Sequence, residues 1–258
     1  MAIILEKLNL FRKNKVMCEI KRDSVNEIIK GAKLELYNQN IVSLPDGGIF
    51  ATEFLNRPAK DSGFHHAGEF YSFAASHGLI AKVDIAAIEN TVSNLKEFGE
   101  VGKHFINVHL STLFSKEWQH FLENTDKNIF KNVVLEISER EGLNDYTRKD
   151  VEKKIYDLKT EGFEFAIDDV GIGYSGLTNL TLVKPEYVKL DRMLVDYIDE
   201  DMYRQHLMKA LISYWLEREV KVIAEGIERI EEAQFFSELG VKLGQGYYYH
   251  RPVRSIIT

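Results

Sequence analysis

The run F-A-I-D-D-V-G-I-G-Y-S-G, Phe165 to Gly176, ends an apolar segment in two adjacent carboxylates, Asp168 and Asp169. Neighbouring carboxylates repel, and each raises the other's cost of ionising unless a cation or water lies between them. Other short apolar runs end in polar groups too: Glu53 in A-T-E-F-L-N-R, Asn107 in F-I-N-V-H-L-S, Glu136 in V-V-L-E-I-S-E-R and Gln245 in G-Q-G-Y-Y-Y. Lys189 and Asp191 close Y-V-K-L-D-R, and Glu225 and Glu228 close V-I-A-E-G-I-E-R. A single charge at such an end is ordinarily just the first solvated position. A whole set delivered to one place concentrates negative charge that requires a counter-ion. Oxygen donors without thiolates, and without paired histidines at helical spacing, suit the hard cations Mg²⁺ or Mn²⁺ better than zinc or copper. Two carboxylates can serve two such ions about 3.5–4 Å apart, an arrangement that cleaves phosphate esters by in-line displacement. Gly171 and Gly173 let the following chain turn sharply beside a bulky ligand.

Hydrophobic period identifies the elements that must position these groups. Eight β-rich runs are expected as strands: Leu34–Leu44, Gly48–Phe54, His104–Leu110, Val133–Ile137, Phe163–Asp168, Tyr187–Leu190, Val220–Ala224 and Val241–Tyr247. Helical spacing marks Gly68–His77, Ala81–Phe98, Thr112–Glu123, Asp145–Glu161, Gly176–Leu182, Met193–Glu217 and Ile230–Leu239. The alternation predicts an α/β fold, a TIM-like (β/α)₈ barrel, whose working residues lie where its strands end. The exception is the start, where P-D-G-G links the first two strands and suits a hairpin better than a helical crossover.

Composition excludes several function classes. With 258 residues and a net charge of −7, the chain lacks the basic face that a nucleic-acid partner demands. The lone Cys18 forms no internal disulfide, which fits a reducing, cytoplasmic compartment. No segment reaches membrane-spanning length, and the first residues do not read as a signal peptide. Residues 1–22 form a basic extension, expected to flank the domain as an extra helix or strand; residues 23–258 read as one barrel domain without a linker.

Taken together the motifs resemble the EAL-domain phosphodiesterases, which hydrolyse the bacterial second messenger cyclic di-GMP. The resemblance runs from about Lys33 to Val253. Y-N-Q-N-I-V, containing Gln39, is similar to the family's Y-Q-P-I-V, and E-F-L-N-R to its E-A-L-L-R. E-I-S-E, D-D-V-G-I-G-Y-S, V-K-L-D-R, A-E-G-I-E and G-Q-G-Y-Y resemble E-I-T-E, D-D-F-G-T-G-Y-S, L-K-I-D-R, A-E-G-V-E and G-Q-G-Y-L. The resemblance implies a barrel whose first strand is antiparallel, and a homodimer. It implies that Glu53, Asn107, Glu136 and Asp168 hold one metal ion and that Asp168 bridges to a second held by Asp169. Lys189 would orient the attacking water, and Glu225 would act as general base or metal ligand. Glu139 would brace the loop from Asp169 to Ser175, while Arg57, Gln39, Asp191, Gln245 and Glu228 would meet substrate. The product implied is linear pGpG.

The chain departs from the family pattern at Phe54, Asn56, Val170 and Ile172, and at P-A-K-D-S-G-F-H-H after Arg57. His109 stands where a small residue is common, and is expected to pack near the mouth; His65 and His66 are expected to be solvated. Two alternatives remain at this level. One is a weak or inactive cyclic di-GMP receptor that signals through a partner. The other is a barrel enzyme with Lys189 as base and Mg²⁺ stabilising an enolate.

Overall fold

The computed structural model describes residues 2–31, 34–95, 102–138, 146–171 and 176–255, with side chains described from Val16 onward except at 176 and 177. In chain order the elements are α1 (Ala2–Ile29), β1 (Glu35–Ser43), β2 (Ile49–Arg57), α2 (Ala67–Ser76), α3 (Ile80–Asn94), β3 (Lys103–Asn107) and α4 (Lys116–Asn124). There follow β4 (Val133–Ser138), α5 (Arg148–Thr160), β5 (Glu164–Val170), α6 (Gly176–Val183), β6 (Tyr187–Leu190) and α7 (Arg192–Val195). The chain ends with α8 (Met202–Leu216), β7 (Lys221–Ala224), α9 (Ile230–Glu238), β8 (Leu243–Gly244) and β9 (Val253–Arg254).

Strands β2 to β8 run parallel in sequence order, and β1 closes the barrel by pairing antiparallel with both β2 and β8. This is the (β/α)₈ barrel with an inverted first strand that the sequence predicts. The hairpin is built by Asp46, whose Oδ1 accepts from Gly48 N at 3.0 Å, and by Gly47 at φ +72°. β9 adds a short antiparallel rung to the outside of β1.

Because strand side chains alternate between two faces, each strand contributes to two cores. The inner one is a single layer across the lumen: Ile41, Ala51, Phe105, Val134, Ala166, Tyr187, Ile223 and Leu243. The outer one, which includes Phe54, Ile106, Leu135, Ile167, Val188 and Val222, packs against the helices. Phe54 belongs to this outer layer and is buried, so the bulky residue in the name motif packs into the helix interface.

Some element boundaries differ from expectation. Met193–Glu217 is not one helix: Tyr197 takes a left-handed φ of +50°, and Asp201 starts α8 afresh by accepting from the Tyr203 and Arg204 amides at 3.0 Å. The strand expected at His104–Leu110 stops at Asn107, and Leu110–Phe114 forms a 3₁₀ turn. That expected at Val241–Tyr247 keeps only Leu243–Gly244, because Gly246 then lies against the Ile227 backbone, too close for any Cβ. The end of the expected helix Ala81–Phe98 lies outside the described residues. α1 continues through residue 22 to Ile29, and Val25 and Ile28 are buried with Phe64, Phe70 and Val83. Among the described residues no helix is long and apolar enough to cross a membrane.

Candidate active site

The lumen layer explains how the mouth is furnished. Two residues beyond each lumen side chain of β2 to β8, on the same face and one layer higher, stand Glu53, Asn107, Glu136, Asp168, Lys189, Glu225 and Gln245. On the inverted β1 the offset reverses, and Gln39 precedes Ile41 by two.

Lys189 is the hub. Its Nζ lies 2.6 Å from Glu136 Oε1, 2.8 Å from Glu225 Oε1, 3.2 Å from Asp168 Oδ1 and 3.3 Å from Glu53 Oε1. Its side chain is 1% exposed, so four carboxylates and one ammonium share a site largely withdrawn from water. Burial alone would lower the Lys189 pKa, but Asp168, Glu136, Glu225 and Glu53 together raise it well above the ordinary lysine value. An ammonium facing four carboxylates is poorly placed to act as a base, which speaks against the enolate reading. Burial pushes Glu136 and Glu225 well above the ordinary carboxylate range; Lys189 opposes this in both, while Asp168 and Glu53 add to it.

Amide side chains complete the ring. Asn107 Nδ2 donates to Glu136 Oε2 at 3.0 Å, Gln245 Nε2 to Glu53 Oε2 at 2.5 Å, and Gln39 Nε2 to the His250 carbonyl at 2.9 Å. Oxygens of Glu53, Glu136 and Asp168 lie within 4.8 Å of one another, close enough to share one metal ion. Glu136 Oε1 and Asp168 Oδ1 are buried with no hydrogen-bond partner beyond the ion pair to Lys189. Buried carboxylate oxygens left this way, in an all-oxygen donor set, fit a hard divalent cation.

Asp169 reaches the same mouth through a bulge. β5 and β6 pair as Ile167↔Val188 and then Val170↔Leu190, so Asp168 and Asp169 together oppose Lys189 alone. In a regular strand these neighbours would face opposite sides. Here Asp169 takes φ +59°, and both carboxylates line one cavity of about 320 Å³ with Lys189 and Glu225. At Gly171, φ +119°, a Cβ would meet Leu194 Cδ1 at 2.5 Å, so the turn out of the bulge needs glycine.

The other expected residues are placed around this centre. Gln39, Asp191, Glu228 and Gln245 line the 320 Å³ cavity; Asp191 Oδ1 caps α7 through the Met193 amide at 2.7 Å, and Glu228 pairs with Arg192 at 2.8 Å. Arg57 lines a second cavity of about 690 Å³, with Asn107 and Glu136, its guanidinium 4.7 Å from the Tyr37 ring centre. Leu55 forms a wall common to both cavities. Glu139 and Ile172 lie outside the described residues.

Sequence reasoning missed two polar clusters beneath the larger cavity. Asp84, 2% exposed, accepts from the His109 amide at 2.8 Å and from Thr112 Oγ1 at 2.6 Å, and pairs with His109 Nδ1 at 3.1 Å. The signal was present: the helical period puts Asp84 on the buried face with Val83, Ala87 and Ile88, where a charge needs partners. Asn56, a departure from the family motif, is buried but satisfied, donating to Thr91 Oγ1 at 2.9 Å and accepting from Asn90 at 2.8 Å. His65 and His66 are exposed as expected, yet both line the larger cavity, and His66 Nδ1 caps α2 through the Glu69 amide at 3.1 Å.

Known proteins bear on this arrangement. The chain is 27% identical over 255 residues to the probable cyclic di-GMP phosphodiesterase PdeG of Escherichia coli K12, covering 95% of this chain and 49% of PdeG. It is 31% identical over 192 residues to the probable cyclic di-GMP phosphodiesterase PdeN of the same organism, covering 71% of this chain and 36% of PdeN. The chain thus spans about half or less of the curated relatives it matches. In fold it is similar to an EAL domain protein from Listeria monocytogenes EGD-e, with a TM-score of 0.75 at 23% identity over 90% of this chain and 92% of that one. It is similar also to Klebsiella pneumoniae BlrP1 in a manganese and cyclic di-GMP complex, with a TM-score of 0.73 at 24% identity over 86% of this chain and 56% of that one. Residues 22–252 match the EAL domain model, and the chain belongs to the EAL domain family.

Proposed function

We propose that the protein is a metal-dependent phosphodiesterase that opens cyclic di-GMP to linear pGpG. The observation that carries this reading is the convergence of Glu53, Glu136, Asp168 and Glu225 on Lys189 at the end of the barrel. Glu53, Asn107, Glu136 and Asp168 would hold one divalent ion, and Asp168 and Asp169 a second, Mg²⁺ or Mn²⁺. When bound, such ions lower the pKa of water from 15.7 towards about 7 and offset charge on the phosphoryl oxygens.

The chain's own groups divide the remaining work. Lys189, held protonated, can only donate hydrogen bonds, which suits it to orient the attacking water. Glu225 has one oxygen committed to Lys189, and its raised pKa brings it closer to the working range of a general base. The water oxygen attacks phosphorus in line, its proton passes to Glu225, the P–O3′ bond breaks, and the departing O3′ takes a proton from solvent. Arg57, Gln39, Asp191, Gln245 and Glu228 line the two cavities where the rest of the dinucleotide would lie. On the same reading, resting on the family resemblance, the protein acts as a cytoplasmic homodimer.

Purified protein with Mg²⁺ or Mn²⁺ is expected to convert cyclic di-GMP to pGpG, followed by ion-exchange chromatography. Glu225→Gln should lower kcat by about 10²–10⁴-fold, the usual contribution of a general base. Tight binding without product under both metals would select the receptor reading instead.

A further inference from the structure

Helix α1 does not simply flank the barrel. Between Met17 and Ile28 it grips the segment that joins β2 to α2, residues 58–66. Ser24 Oγ donates to the Ser62 carbonyl at 3.0 Å, and the Lys21 ammonium lies 5.4 Å from the Phe64 ring centre. Lys21 Nζ also pairs with Glu69 at 2.5 Å, and the other oxygen of Glu69 accepts from the His65 amide at 2.8 Å. At Gly63, φ +80°, a Cβ would lie 3.1 Å from Ile20 Cγ2, so helix and loop are in close contact there. Beneath them Val25 and Ile28 share an apolar cluster with Phe64 and Phe70.

The other side of the same loop is a wall of the larger cavity. Pro58, Lys60, Phe64, His65 and His66 line it, facing a space shared with Arg57, Asn107 and Glu136. From behind, Lys21 and Ser24 of α1 and the Glu69 carboxylate hold this loop, and the Phe70 and Phe73 rings of α2 pack against Phe64 with ring centres 5.2 and 5.5 Å away. The geometry points to α1 as a positioning element for substrate, with Lys21 and Ser24 as the residues that hold the loop in its binding shape. This rests on the reading of the mouth as a cyclic di-GMP site and adds to it a control on affinity. Lys189 and the carboxylates stand on strands of the barrel, with Glu225 just past the end of β7, and no described contact links them to α1. Loosening α1 thus weakens binding and leaves the chemical step alone. Anything that pulls or twists the helix from its first turns would act on the same wall.

The test is Lys21→Ala combined with Ser24→Ala in the full chain, with Lys21→Arg as the conservative control. Loss of one partly buried ion pair and one hydrogen bond should raise KM for cyclic di-GMP by about three- to ten-fold while kcat changes by less than about two-fold. Hydrogen exchange should quicken at the amides of 58–69 and stay unchanged in the barrel strands, and Lys21→Arg alone should keep the wild-type KM. If the double variant misfolds, Ser24→Ala alone serves, with the smaller end of the same KM range expected. An unchanged KM in a wild-type background that turns over overturns the clasp and leaves the function standing. So does a fall in kcat at constant KM, or a raised KM with no change in loop exchange. If the wild-type protein neither binds nor hydrolyses cyclic di-GMP, both readings fall.

Discussion

The two ends of the barrel lumen start from the same geometry and arrive at opposite electrostatics. Two residues below the lumen layer stand Lys103, Glu164 and Lys221, as two residues above it stand Lys189 and the carboxylates. At the bottom the charges have partners. Lys103 pairs with Glu164 at 3.1 Å, Tyr187 donates its hydroxyl proton to Glu164 at 3.0 Å, and Lys221 reaches the Tyr187 oxygen at 3.3 Å. Lys103 and Glu164 keep about a quarter of their side chains in water. At the mouth four carboxylates confront one ammonium that is almost wholly buried. Burying charges is costly unless they are paired, so an unbalanced cluster is relieved by taking up protons or by a cation from outside the chain. The bottom is arranged to hold the barrel shut, and the mouth to receive cations.

Removing the buried ammonium at the centre of this cluster should break the contrast most violently. Lys189→Met leaves Glu53, Glu136, Asp168 and Glu225 facing each other, and the loss of a buried partner costs about 3–5 kcal/mol. The sign with pH follows from the carboxylates. Glu136 and Glu225 already have folded-state pKa values above their unfolded value of 4.5. The folded state therefore binds more protons, and stability falls as pH rises above that value. Without Lys189 that fall should steepen. The expected outcome is a variant that melts well below the wild type at pH 8 and recovers at pH 5 or with Mn²⁺, measured by thermal unfolding. A variant as stable as the wild type at pH 8 without metal would dissolve the distinction between the two ends.

The opposite end should respond far less. Glu164→Gln removes the ion pair to Lys103 but keeps an acceptor for Tyr187, so it should cost about 1 kcal/mol or less, the worth of a partly exposed pair. Turnover should not change, because among the described residues Lys103, Glu164 and Lys221 make no contact with the mouth. A large loss of kcat in this variant would mean that the lumen layer transmits strain between its ends.

The contrast also accounts for what the sequence could and could not disclose. Glu53, Asn107, Glu136, Lys189 and Glu225 were legible as polar groups at the ends of apolar runs, although β2 in fact continues beyond Glu53 to Arg57. Gln39 was not legible that way, since β1 runs in reverse and its mouth residue precedes the lumen residue; only the family resemblance drew attention to it. The repulsion at Asp168 and Asp169 was plain, but not its solution. The bulge that brings both to one cavity with Lys189 depends on the register of β5 against β6, which no local pattern encodes. The same holds for the capture of His109 by Asp84, two residues brought together only when α3 packs beside the end of β3. The break at Tyr197 escaped notice because apolar spacing continues across it, although Asp201 carried the cap signal.

The subtlest separation of regions concerns acid. Glu69 beneath α1 shifts in the direction opposite to the mouth: the His65 amide, and then Lys21, lower its pKa from 4.5 to about 2. A carboxylate depressed on folding contributes stability above its unfolded pKa and loses it as pH falls through the folded one. Between pH 4.5 and about 2, then, the clasp on the 58–66 loop weakens, while protonation of Glu136 and Glu225 at higher pH has already relieved repulsion at the mouth. The His65 amide reports this directly, because its proton is donated to Glu69 Oε2. Followed by NMR, its shift should still be less than half titrated at pH 3, and Lys21→Ala should move the midpoint upwards towards 4.5. A midpoint already at 4.5 in the wild type would mean that Glu69 holds neither the loop nor the helix, and that α1 rests on its apolar contacts alone.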